Sequence, residues 1–265
     1  MSSTPERNAH KRAIRAAFDR AATSYDSAAG IQREICDALA ELVPPAPEVA
    51  RILDAGCGTG YALPGLQARF PRAHVVGFDF APAMLARLDV GAASRVCGDL
   101  EELPFADAAF DRIWSSLALQ WCDPDLALGE FARILRVGGR AYIATLAPGT
   151  LAELRDAFAA IDDTPRVLAF HEPDFWTRTA ERHGFTIAHS RRFVTAVRDP
   201  ELRGILRHIK SIGAHRTTAT PRPPLNRSQW RTLEARYALW RDAAGLLPAS
   251  YDVLLLALEK RPATA

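Results

Sequence analysis

The 265-residue chain reads as an α/β fold: a mostly parallel, seven-stranded sheet wound with helices. Three observations predict it. Short apolar runs alternate with helix-period segments between residues 49 and 146. A glycine-rich turn, Gly56-Cys57-Gly58-Thr59-Gly60, joins the first of those runs to a helix. Acids close three successive runs, at Asp54, Asp79 and Asp99. Such alternation places ligands at the carboxyl ends of the strands.

The elements follow in order. Residues 1–9 are polar and expected to fray. Residues 10–20 predict a helix, with Ile14 and Phe18 four apart on one face. A second helix over 31–42 stops at Pro44-Pro45. Strands are expected at 49–53, 73–78, 94–97, 110–115 and 140–146, with helices at 62–70, 82–88 and 124–135. The last of these is expected to end at Gly138-Gly139, where a left-handed cap costs little. Beyond residue 150, helices near 151–162 and 172–183 precede strands at 185–197 and 251–258. The intervening segment carries a helix with Leu202, Ile205, Leu206, Ile209 and Ile212 on one face and Arg203, Arg207 and Lys210 on another. A further helix over 228–244 is capped by Asn226 or Ser228. This divides the chain into an N-terminal helical cap (1–45), a core (46–198), a helical lid insertion (199–247) and a last core strand with its tail (248–265).

The glycine turn sets the chemistry. Gly56, Gly58 and Gly60 let the backbone approach a ligand where side chains would collide. Asp54 lies two residues ahead, where its charge would oppose a phosphate but suit an ammonium, so S-adenosylmethionine (SAM) fits. Asp79, 25 residues after Asp54, is placed to grip a ribose diol. Asp99 is placed to accept from an adenine amino group, with the Leu100 N–H donating beside it. A dinucleotide fingerprint would need its third glycine at position 61, which is Tyr61.

Composition bounds the rest. There are 33 basic and 31 acidic residues, so no global nucleic-acid signature exists. Cys36, Cys57, Cys97 and Cys122 form no CxxC pair, which argues against structural zinc or disulfides and for a reducing cytoplasm. No metal site is expected. No apolar run approaches the roughly 20 residues of a membrane span, and no signal-peptide core is seen. Charge is nonetheless uneven: ten basic residues between Arg191 and Arg231 face only Asp199 and Glu201. Such a run is either a solvated face or a dock for an acidic macromolecule.

These motifs identify a family. Residues 53–60, Gly98-Asp99, Leu103-Pro104-Phe105 with Phe110-Asp111, and Arg136-Val137-Gly138-Gly139 resemble Rossmann-like class I SAM-dependent methyltransferases. Phe18-x-x-Ala21-Ala22-x-x-Tyr25-Asp26 with Gln32, Leu117–Cys122, Lys210–His215 and Tyr251 are similar to the malonyl-acyl-carrier-protein O-methyltransferases of biotin synthesis. His215 directly after Ala214 departs from the commoner Gly-Ala-Thr pattern there.

The resemblance implies methyl-esterification of the free malonyl carboxyl on acyl carrier protein, an acidic partner suited to the basic segment. It implies that Tyr25 and Gln32 close the SAM pocket, with Phe80, Met84, Leu100 and Leu117 completing it. Trp121 would wall the acceptor, beside Gln120. His215 and Tyr251 would donate to the malonyl carboxylate. Arg203, Arg207 and Lys210 would meet the carrier protein. A carboxylate with a pKa near about 4 needs no general base. A monomer is expected. Two alternatives stand beside this one. A methyltransferase for a free small acid such as aconitate would not need the basic segment. A non-catalytic assembly factor would not need an intact SAM site.

Overall fold

The computed structural model describes residues 4–46, 48–88, 93–212 and 224–262. In chain order the elements are α1 (Thr4–Ala21), α2 (Tyr25–Ala28), α3 (Gly30–Ala40), β1 (Arg51–Ala55), α4 (Leu63–Arg69), β2 (His74–Asp79), α5 (Pro82–Leu85), β3 (Ala93–Cys97) and β4 (Phe110–Ser116). Then come α6 (Pro124–Ile134), β5 (Leu135–Leu146), α7 (Ala152–Ala159), α8 (Pro173–Arg182), β6 (Phe185–Asp199), α9 (Leu202–Ser211), α10 (Arg227–Tyr237) and β7 (Leu247–Lys260). Single 3-10 turns occupy Leu119–Trp121 and Ala238–Trp240.

The seven strands lie in one sheet in the order β3-β2-β1-β4-β5-β7-β6. β1, β2, β3, β4 and β5 pair in parallel, and β7 runs antiparallel to β5, from Arg140↔Glu259 to Leu146↔Val253. A parallel strand covered on both faces must be apolar nearly throughout, which is why the short runs lack polar alternation. The sequence-predicted architecture is therefore the observed one.

The chain forms two compact units. One comprises Gln32–Ala147, His171–Phe193 and Val253–Ala265; the other comprises Met1–Ile31, Pro148–Phe170 and Val194–Asp252. Each has its own core. In the first, Leu53, Phe78, Ile113, Phe131, Ile143 and Leu256 are buried together. In the second, Leu202, Ile205 and Ile209 of α9 bury with Leu154 of α7 and with Leu233 and Tyr237 of α10. The apolar face read on α9 is thus its buried face. Arg203, Arg207 and Lys210 are exposed.

Three local expectations change. α1 begins at Thr4 rather than residue 10: Glu6 stands in its first turn, where a carboxylate suits the helix dipole, and a polar turn can extend a helix without apolar periodicity. α10 is shorter than 228–244 and takes Asn226 as its cap: the Asn226 side chain accepts from the Gln229 N–H at 2.9 Å, and the Gln229 side chain accepts from the Asn226 N–H at 3.0 Å. Gly138-Gly139 does not cap α6. The helix stops at Ile134 because Leu135 turns extended and pairs with Phe110. Pairing then resumes at Arg112↔Arg140, and the bulge between holds the glycines. Gly138 has φ +74°, and a Cβ on Gly139 would lie 2.7 Å from the Arg136 carbonyl oxygen. The pair does demand glycine, but a bulge imposes the demand.

Candidate active site

β1 is fixed at both ends. At its start, the Ala50 and Arg51 N–H groups each donate to Asp111 Oδ2 at 2.8 Å, and Arg136 pairs with the other carboxylate oxygen. At its end, Ser115 Oγ donates to the Ala55 carbonyl at 2.8 Å. The Gly56 and Cys57 N–H groups then both donate to the Phe78 carbonyl, at 2.8 and 2.9 Å. The chain emerging from β1 is therefore held against the end of β2 before the glycine turn begins.

The three glycines serve different ends. A Cβ on Gly56 would lie 2.3 Å from the Ala118 Cβ, so this glycine admits the turn that follows β4. Gly60, at φ +91°, lies under Leu63 and Leu88, each 3.1 Å from a would-be Cβ. Gly58, at φ +54°, would meet nothing within 4 Å. Of the three, Gly58 is the one whose bare backbone leaves room for a ligand.

Asp79 continues the site. Its Oδ2 accepts from the Gly58 N–H and its Oδ1 from the Ala81 N–H, both at 2.8 Å. The carboxylate is thus locked at the end of β2 by backbone amides. Phe80 is half-buried beside it, and Met84 on α5 is buried. Asp99 follows β3 and accepts from the Glu101 N–H at 3.1 Å, with Leu100 buried next to it. The loop behind them hangs on one guanidinium. Arg133 donates to the Leu103 and Phe105 carbonyls at 2.9 and 2.6 Å, to Asp107 at 2.9 Å and to both oxygens of Glu130.

Asp54 is the unusual group. It is 2% exposed, and its Oδ2 has no hydrogen-bond partner. Burial, and then the neighbouring Asp79 carboxylate, push its pKa up to about 8. The Cys36 and Cys57 thiols are also pushed up, first by burial and then by the Asp54 charge. Gln32 Oε1 and Gln120 Oε1 are likewise buried without a partner. A buried, unpartnered carboxylate beside an open glycine backbone fits the ammonium of an amino-acid moiety, so these residues pass the test for SAM.

The turn after β4 carries the remaining residues of this unit. Leu117 has φ +56° and donates its N–H to the Ala144 carbonyl at 2.8 Å. Trp121 closes the 3-10 turn and is half-buried. Trp114, inside β4, is 3% exposed and belongs to the core.

Tyr25, Tyr251, Arg203, Arg207 and Lys210 lie in the other unit. Tyr25 opens α2 and is half-buried. Tyr251 on β7 is buried, and desolvation pushes its pKa up, so it stays a neutral donor. The Arg203 guanidinium lies 5.4 Å from the Trp230 ring centre. His215 lies outside the described residues. Elsewhere in the basic run, Arg191 pairs with Glu41 at 3.0 Å and Arg198 with Asp242 at 3.3 Å, which trims the charge excess. Sequence reasoning missed Asp111 as a strand clamp and the Arg133–Glu130 pair. Among the described residues, no three His, Cys, Asp or Glu side chains gather as a metal site would need, and no helix is long and apolar enough to cross a membrane.

Comparison with known proteins agrees with this geometry. Residues 53–143 match the family model described as "Methyltransferase domain". The fold matches the YcgJ protein of Bacillus subtilis, with a TM-score of 0.59 at 17% identity over 87% of this chain and 99% of that one. It also matches a Streptomyces coelicolor geranyl diphosphate C-methyltransferase solved with S-adenosyl-L-homocysteine (SAH), with a TM-score of 0.50 at 17% identity over 84% and 79% of the two chains. The malonyl-[acyl-carrier protein] O-methyltransferase of Dechloromonas aromatica is 45% identical over 94% of this chain and 95% of its own. That of Laribacter hongkongensis is 44% identical over 92% and 87%. The bifunctional biotin biosynthesis protein BioHC of Cellvibrio japonicus is 37% identical over 94% of this chain and 50% of its own. With a SAM-type loop built at the end of β1 and kinship running the length of the sequence, this chain belongs to the malonyl-[acyl-carrier protein] O-methyltransferase family of SAM-dependent enzymes.

Proposed function

We propose that the protein transfers a methyl group from SAM to the free carboxyl of malonyl-acyl carrier protein, leaving SAH, as the entry to pimeloyl synthesis for biotin. The observation that carries this reading is similarity at 44–45% identity, over more than nine-tenths of the chain, to enzymes of that name. Bound SAM supplies an electrophilic sulfonium methyl. The acceptor carboxylate is ionised at neutral pH, so the protein's task is alignment, which can supply about 7–11 kcal/mol of the barrier. No general base is required.

The chain's residues divide that task. Asp79 holds the ribose, with Gly58 giving room at the turn. Asp99 and the Leu100 N–H read the adenine, with Phe80, Met84 and Leu117 packing around the cofactor, and Tyr25 and Gln32 belong to the same set. Trp121 is assigned to the acceptor side. Tyr251, held neutral, can donate to the malonyl carboxylate without the strong ground-state stabilisation that a cation would impose; His215 is assigned the same role. Arg207 and Lys210, exposed and without an ion pair among the described residues, are assigned to the acidic carrier protein, with Arg203 beside them. The four free thiols suit the cytoplasm.

The test is direct. Purified protein is incubated with SAM and either malonyl-carrier protein, malonyl-CoA or aconitate, and methyl ester is scored by mass spectrometry. Ester on the malonyl thioesters and none on aconitate is expected. Ester on aconitate alone would move the enzyme to the small-acid class.

A further inference from the structure

Helix α6 begins after Asp123, whose side chain accepts from the Asp125 N–H at 3.0 Å. Such a helix start is closed locally when the third helical residue is Glu or Gln, because that side chain accepts from the cap residue's own N–H. Here the first three helical residues are Pro124, Asp125 and Leu126, so an apolar side chain stands where the acceptor belongs. The Asp123 N–H instead donates to Glu101 Oε1, at 2.7 Å and 22 residues earlier in the chain. Glu101 thus completes, from the loop after β3, a cap that α6 cannot complete for itself.

β3 and β4 are separated in the sheet by β2 and β1, so this bond joins loops from strands that do not touch. On the Glu101 side lies the acid assigned to adenine: the Glu101 N–H donates to Asp99 Oδ1 at 3.1 Å. On the Asp123 side lies the turn bearing Gln120 and Trp121, which closes with the Cys122 N–H donating to the Leu119 carbonyl at 3.1 Å. The front of the same turn rests on the glycine loop, where Ala118 abuts Gly56. The turn is therefore held at both ends by pieces of the cofactor site, through packing at Ala118 and through a carboxylate at Asp123.

We propose that Glu101 is a positioning residue for methyl transfer, which registers the acceptor-side turn bearing Trp121 against the loop that reads the adenine. This rests on the assignment of Asp99 to the cofactor and of Trp121 to the acceptor. The Glu101 carboxylate touches neither ligand and acts through the Asp123 N–H. Its backbone N–H, which nearly any residue supplies, steadies Asp99. Removing the side chain should therefore misalign the acceptor and leave the cofactor bound.

Single-turnover methyl transfer to malonyl-carrier protein and malonyl-CoA, with calorimetry of SAH binding, tests this. Glu101→Ala should slow transfer about tenfold or more, since a misplacement of about 1 Å can cost about a hundredfold. SAH affinity should stay within about twofold of wild type, which splits alignment from cofactor binding. Glu101→Gln keeps an oxygen that can accept the Asp123 N–H and should retain most of the rate. Leu126 is exposed, so Leu126→Glu can be added to Glu101→Ala to close the α6 cap locally. That double variant should gain stability in chemical denaturation yet transfer as slowly as Glu101→Ala, because its cap no longer reaches the adenine loop. Recovery of the rate there would overturn the proposal, since satisfying one amide would then suffice. An unchanged rate in Glu101→Ala would overturn it too, as would an equal loss in Glu101→Gln or a parallel loss of SAH affinity. Wild-type protein that binds SAH but esterifies neither malonyl thioester would instead overturn the function on which the proposal rests.

Discussion

The two compact units differ in one buried acid. In the α9 unit, Glu153 accepts from Ser250 through both its side chain and its backbone, and Asp252 accepts from the Gly149 N–H at 3.0 Å. Thr150 adds hydrogen bonds in both directions with the Asp252 backbone. These carboxylates staple β7 to the start of α7. In the glycine-loop unit, Asp111 behaves the same way, but Asp54 is as deeply buried and leaves an oxygen unpaired. A satisfied buried acid marks architecture, whereas an unsatisfied one beside an open backbone marks a place kept for a ligand.

Stability measurements can break that contrast. Asp111→Ala removes the acceptor for two β1 amides and the partner of Arg136, and should cost about 3 kcal/mol or more. Asp252→Ala removes the acceptor for the Gly149 N–H and should cost somewhat less. Asp54→Asn should cost nothing near pH 8, because it removes a charge that the ligand-free fold disfavours. Chemical denaturation of the three variants checks the order. A loss for Asp54→Asn equal to that for Asp111→Ala would erase the distinction.

The same group sharpens the contrast through pH. Its folded-state pKa of about 8 lies above the ordinary carboxylate value, so between about pH 4 and 8 the folded chain binds this proton more tightly than the unfolded chain does. Stability without cofactor should therefore fall as pH rises through that window, by up to about 1.4 kcal/mol per unit, and level off above it. Asp54→Asn should remove this component of the slope. An ammonium-bearing ligand favours the ionised acid, so SAH should bind more tightly as pH rises toward 8. Denaturation and calorimetry across pH report the two slopes, and both slopes persisting in Asp54→Asn would move the titration elsewhere.

A smaller effect concerns Asp79, which is both fixed by amides and assigned to ribose. Asp79→Ala should weaken SAH by about 1–3 kcal/mol in calorimetry. Unchanged affinity in the folded variant would remove the ribose assignment.

The smallest effects fall on the α9 surface. Reversing Arg207 and Lys210 to Glu should raise KM for malonyl-carrier protein and leave SAH affinity unchanged. Wild-type turnover should fall as salt rises, through weakened steering. A small malonyl thioester should be affected less. Equal losses on both substrates would place these residues at the chemistry rather than on the docking face. Arg203 is a poorer probe, since its stacking on Trp230 means reversal also disturbs packing.

What could be read in advance followed from local pattern. The glycine turn, the strand-ending acids and the apolar face of α9 all depend on residues within a few positions of one another. Asp111 was visible only as part of a motif, because the amides it accepts from are 60 and 61 residues away. Arg133 was invisible for the same reason: three of its acceptors lie 26–30 residues earlier, in a loop with no period. Gly138-Gly139 drew attention to the right place with the wrong cause, since a helix cap and a bulge both ask for positive φ. The separate roles of Gly56, Gly58 and Gly60 appear only once Ala118, Leu63 and Leu88 are brought beside them.

The contact between Gly56 and Ala118 carries a lesson for engineering. With so little space between them, the cofactor loop and the turn bearing Gln120 and Trp121 form one mechanical part. Reshaping residues 117–122 to admit a new acceptor will therefore move the cofactor as well. Selection for altered substrate range should recover changes at positions 56 and 118 together, or at neither.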